Sequence, residues 1–86
     1  MVMVECDTAT DSTYFEIVAN ARVEKTRHLR DLLMVDLDSA GEPVGVEVVL
    51  GSRVLAHEYW LTLVSAYPGL KCQFPDEAAF SRFANA

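Results

Sequence analysis

The side chains with most to offer chemically in this sequence are carboxylates, Asp7, Asp11, Asp36 and Glu47. If the first turn packs on the later hairpin they converge. Paired carboxylates in a pocket can do acid–base work when burial separates their pKa values. The plainer reading is that acids on strand faces are solvated, and that Asp7 and Asp11 organise a turn by bonding the backbone. Asp36-Leu37-Asp38-Ser39-Ala40-Gly41 has the opening of a calcium loop. Such loops need oxygens at alternating positions and a closing bidentate acid. Ala40 brings no oxygen, and Pro43 to Val46 bring no acid, so no metal is expected there. Glu47 stands beside Gly45, a gap that admits another backbone or a long side chain. An ion pair across the sheet with Arg22, Arg30 or, above all, Arg27 is expected for it.

The remaining reactive residues form no constellation. His28 and His57 lack a ligand partner at zinc spacing. Neither Cys6 nor Cys72 has a basic cluster beside it to lower a thiol pKa. The serines have no nucleophile-elbow context, and no Gly-rich loop precedes a helix. The sequence therefore leads us to expect a non-enzymatic protein with no catalytic, cofactor or metal residues.

The elements that must position these residues follow from periodicity. Val2 to Cys6 and Tyr14 to Val18 are β-branched and aromatic, hence strands, with Asp7 to Ser12 as the turn between them. Arg22 to Leu29 reads as a strand carrying its charges on the wet side. Leu32 to Asp38 and Val44 to Leu50 alternate with period two about a Gly41 turn, which makes 32–50 a β-hairpin. At Gly51-Ser52 the period changes. An amphipathic helix is expected over 53–67 with Ser52 as its N-cap, ended by Pro68-Gly69. Leu70 to Phe74 reads as extended. A short helix over 76–84 follows, with acids in its first turn. The sum is an α+β domain: an antiparallel meander of four to five strands followed by two helices.

The first helix is more apolar than one buried face requires. Tyr59, Trp60, Leu61 and Val64, with Phe80 and Phe83 from the second helix, offer aromatic anchors of the kind interfaces use. They are the candidate contact surface with a second copy or another protein.

The totals agree. The 86 residues form one domain, 51% apolar and 23% charged, with a net charge of −6. A chain this short buries only a little over roughly 60% of its unfolded surface, so help from a partner is expected. A homo-oligomer is the first expectation and a basic protein partner the second. Seven basic residues, several of them interleaved with acids, do not suit a phosphate backbone, so nucleic acid is not an expected partner. No apolar run approaches the roughly 18 residues of a membrane span, and the N-terminus lacks the form of a signal peptide. Cytoplasmic residence is expected.

One segment has a family likeness. Asp7-Thr8-Ala9-Thr10-Asp11-Ser12-Thr13-Tyr14-Phe15, then Val35-Asp36-Leu37-Asp38, Gly41 and Val44-Gly45-Val46-Glu47-Val48, resemble the domain of unknown function 2283 family of small bacterial and phage proteins. The likeness covers roughly residues 2 to 52, with Thr10 where the family usually has Ala. It implies a small antiparallel sheet and no agreed catalytic residues. Gene neighbours of the family resemble small toxins, which implies an antitoxin-like inhibitor role. A small carboxylate-dependent enzyme is the remaining alternative.

Overall fold

Alternation between apolar and polar residues makes the three central strands of this chain bury one side each, and the architecture follows. The computed structural model describes residues 3–7, 9–49 and 55–80. It holds five strands, β1 Met3–Asp7, β2 Ser12–Glu16, β3 Lys25–Arg30, β4 Leu33–Leu37 and β5 Pro43–Val48. They form one antiparallel sheet in the order β1-β2-β5-β4-β3. Helix α1 (Ala56–Ala66) and a 3₁₀ helix (Pro68–Cys72) come after the sheet. The protein is the expected α+β fold. Its strand order departs from a simple meander at one point: β5 inserts between β2 and β4, so the link from β2 runs to the far edge of the sheet.

The β4–β5 hairpin is built as its sequence pattern requires. Leu33, Val35 and Leu37 are buried while Met34 and Asp36 are half-exposed. Gly41 takes φ +80°, where a side chain would be strained. Asp38 ties the turn, its Oδ1 accepting the amides of Ala40 and Glu42 at 2.9 Å each. The calcium-like motif is thus a turn whose acid is spent on backbone. Asp7 does the same in the first turn, accepting from Ala9 at 3.0 Å and Thr10 at 3.4 Å. A bulge follows the hairpin turn: Asp36 faces Gly45 but Leu37 faces Pro43, leaving Val44 as the extra residue. The carbonyl of Val44 accepts the amides of both Ile17 and Val18, at 3.0 and 3.1 Å.

One face of the sheet is dry. Phe15, Leu33, Val35, Leu37, Val46 and Val48 pack against Tyr59, Leu63, Leu70, Phe74 and Phe80. Phe15 meets Phe74 and Phe80 edge-on, at ring separations of 5.2 and 5.7 Å, and Phe74 stacks on Phe80 at 5.8 Å. Leu70 to Phe74 is not extended as expected. The chain instead turns tightly after Pro68, which brings Leu70 and Phe74 into the core. Trp60 secures that turn by donating its indole N–H to the carbonyl of Phe74 at 2.7 Å.

The helix begins with Leu55 as its N-cap and no side-chain cap. Ser52, the expected cap, lies outside the described residues, as do 53–54. A further helical stretch opens at 78–80, where Asp76 Oδ1 accepts the amide of Ala78 at 2.8 Å. The rest of the segment expected at 81–84 also lies outside them. Replacing Phe15 by Ala removes the ring that both other aromatics meet. It is expected to cost about 3–5 kcal/mol, enough to unfold much of a domain this small, as urea titration followed by circular dichroism would show.

Candidate functional site

The sheet register sorts the strand charges by sign. Two rows of side chains cross the face turned away from the helices. One runs Glu5, Tyr14, Glu47, Met34, His28, and the other Met3, Glu16, Gly45, Asp36, Thr26. The alternate rows carry Phe15, Val46 and Val35, with Arg27 at their end, on the helix side. Every strand acid, Glu5, Asp7, Glu16, Asp36 and Glu47, therefore falls on this face, which no described helix covers. Every strand Lys or Arg, namely Lys25, Arg27 and Arg30, falls on the other.

This refines one expectation and corrects another. The strand expected at Arg22 to Leu29 forms as β3, with Lys25 to His28 exposed as expected, but its arginines lie on the helix side of the sheet. Arg27 donates to the hydroxyl of Tyr67 at 3.3 Å and lies 5.9 Å from that ring's centre. The guanidinium of Arg30 sits 4.6 Å above the Tyr59 ring, 3.9 Å from Glu58 and 3.4 Å from the Thr62 hydroxyl. An edge strand lets a long cation reach round onto an aromatic, which is favourable where solvent is partly excluded. The Glu47–Arg27 ion pair consequently does not form. The two residues project from opposite faces, and β4 separates their strands.

The long side chain that fills the gap at Gly45 is Tyr14. Its ring crosses from β2 over Gly45, and a methyl group there would overlap its hydroxyl. The hydroxyl donates to Asp36 Oδ2 at 2.8 Å, and Thr26 donates to Asp36 Oδ1 at 2.6 Å. One carboxylate thus joins β2, β4 and β3 across the uncovered face. Burial raises the Tyr14 pKa well above the ordinary value of 10. The bond to Asp36 and the negative charges of Asp36, Glu16 and Glu47 push in the same direction.

A cleft of about 280 Å³ opens on the β1 side of the Tyr14 ring. Glu5, Asp7, Tyr14 and Glu47 line it, together with Thr10 and Ser12. The acids expected to converge therefore do so only in part. Asp7 and Glu47 share the cleft, Asp36 is held across the ring from it, and Asp11 stays in the turn at φ +54°. Among the described residues no group of His, Cys, Asp or Glu is arranged to hold a metal ion. Sequence reasoning marked Gly45 as a gap but did not find Tyr14. Its signal lay in the pairing of an aromatic on one strand with a glycine on another, which only the register reveals.

The expected aromatic contact surface is largely dismantled. Tyr59, Val64 and Phe80 are core residues, 6%, 3% and 0% exposed, because a helix this short needs them to close the sheet. Trp60 is half-buried and bonded to Phe74, Leu61 is exposed, and Phe83 lies outside the described residues. Cys6 and Cys72 are free thiols at the surface. Among the described residues no helix is long and apolar enough to cross a membrane. Comparison with protein families, with curated proteins and with solved structures finds no match to this chain.

Two outcomes test the Tyr14 clasp. Gly45→Ala is expected to destabilise the protein by about 1–2 kcal/mol, because the tyrosine must swing off Asp36. In a Tyr14→Ala background the same change should be neutral or stabilising, since the three atoms nearest the new methyl all belong to Tyr14; the double-mutant cycle measures this. Because the fold favours the neutral phenol, the contribution of Tyr14 is intact below its ordinary value of 10. It is lost as pH rises through the higher folded value. The phenolate absorbance missing from Tyr14→Phe should accordingly develop only at pH well above 10, and that variant should lose less stability in alkali.

Proposed function

We propose that the protein is a non-enzymatic interaction module that uses the uncovered sheet face to receive a different protein. The observation that carries this is the segregation of strand charge. Acids occupy the open face while the strand cations turn to the helix side. A face that no described helix covers, and whose strand carboxylates are unmatched by any strand Lys or Arg, steers an oppositely charged partner and rejects like-charged ones. The carboxylates support this better than catalysis: Asp7 and Asp38 are engaged by backbone amides and Asp36 by two hydroxyls. An antitoxin-like inhibitor of a basic toxin is one form of this role. The resemblance of roughly residues 2 to 52 to the domain of unknown function 2283 family belongs to the same proposal.

Self-association is the second reading, favoured by the edge strand β1. All of β1 is exposed, with Met3 at 58% and Val4 at 43%. Among the described residues the helix layer stops short of it, and an unpaired strand edge is a template for another chain. Two open faces cannot stack on each other without setting acid against acid. Sedimentation equilibrium separates the readings. A monomer at physiological salt is expected. A dimer that persists at low salt and is lost in Val4→Lys would move the contact to β1 and displace the first reading.

A further inference from the structure

We propose that the partner segment seated on the uncovered face is a basic amphipathic α-helix of another protein, lying across the strands. This rests on the interaction reading above and names its partner class. The row Glu5, Tyr14, Glu47, Met34 alternates acid, aromatic, acid, thioether across β1, β2, β5 and β4. Neighbouring strands lie about 4.8 Å apart. Successive positions of the row are therefore close to the roughly 4.5–6 Å between helix residues three or four apart. Glu5 and Glu47, two strands apart, match the roughly 10.5 Å from i to i+7. A helix with Lys or Arg at i and i+7, and apolar residues between and beyond them, sets cation on acid and apolar side chain on Tyr14 and Met34.

The cleft beside Tyr14 sharpens the fit. At about 280 Å³, between Glu5, Asp7 and Glu47, it has room for the end of one Lys or Arg side chain. The Tyr14 ring is held in place by Asp36 and supplies an aromatic wall for that chain. The same charge that attracts this helix repels a nucleic acid, an anionic lipid surface and the acidic face of a second copy.

The full chain is tested by NMR titration with two synthetic helical peptides of equal composition. One carries Lys at i and i+7 with Leu at i+3, i+4, i+10 and i+11, and the other is scrambled to break that stripe. The striped peptide is expected to shift the amides of Glu5, Tyr14 and Glu47, to bind about ten-fold more tightly than the scrambled one, and to weaken as salt is raised. Glu47→Lys should weaken it at least ten-fold, and so should Glu5→Lys, which lies on the exposed edge strand and leaves the core untouched. Glu24→Lys, outside the face, should change binding less than two-fold. Equal binding of the scrambled peptide, or indifference to both reversals, overturns the inference. So does the absence of any saturable shift. Shifts confined to the α1 side overturn the cationic-helix assignment while leaving an interaction role standing, and a self-associating chain in sedimentation removes the role itself.

Discussion

A single layer of helix can dry only one side of a sheet. In this chain α1 and the tight turn after it supply Tyr59, Leu63, Leu70, Phe74 and Phe80 to the core, and these are matched to Phe15, Val35, Val46 and their neighbours. The rest of the structure depends on that asymmetry. The aromatics that look surplus on a helical wheel are consumed in closing the core, so the helix has little left for a partner. The other face of the sheet must then be stable in water on its own terms, and charged and polar side chains make it so.

Those terms are electrostatic. Like charges crowded on one face repel, and the sheet offsets part of that by giving Asp36 two hydroxyl donors, which stabilise its charge without removing it. The two arginines of β3 are engaged on the other side of the sheet. Arg27 and Arg30 hold the helix to the edge of the sheet through Tyr67, Tyr59 and Glu58. The cations that bind the helix layer are thus the ones withheld from the open face, so fastening the core and leaving that face acidic follow from one choice of facing in β3.

Much of the fold was legible because local pattern decides it. The alternation in Leu33 to Leu37 and in Val44 to Val48, with glycine between, can hardly form anything but a hairpin. Asp7 as a turn organiser was readable from the residues around it. What escaped was whatever depends on neighbours distant in sequence. The facing of β3 could not be read because Arg22 to Leu29 has no uniformly apolar side. The insertion of β5 beside β2 leaves no local trace, so neither the neighbours of Glu47 nor the occupant of the Gly45 gap can be read from the sequence. Leu70 to Phe74 misled for a related reason. Its apolar residues suit a strand or a tight turn equally, and Trp60 reaching back to Phe74 decides between them.

Strand order also bears on how the chain reaches this state. Three of the four pairings join strands adjacent in sequence and close short loops, whereas β2 with β5 brings together residues far apart in the chain (Phe15 beside Val46, for example). Loop-closure entropy is therefore concentrated at one seam, between a β1–β2 hairpin and a β3–β4–β5 unit that can each form locally. Tyr14, leaning over Gly45 to Asp36, crosses that seam and rewards only the correct register. A slip by one residue would set the ring against a side chain and turn Phe15 out of the core, so the tyrosine and the glycine together act as a check on assembly.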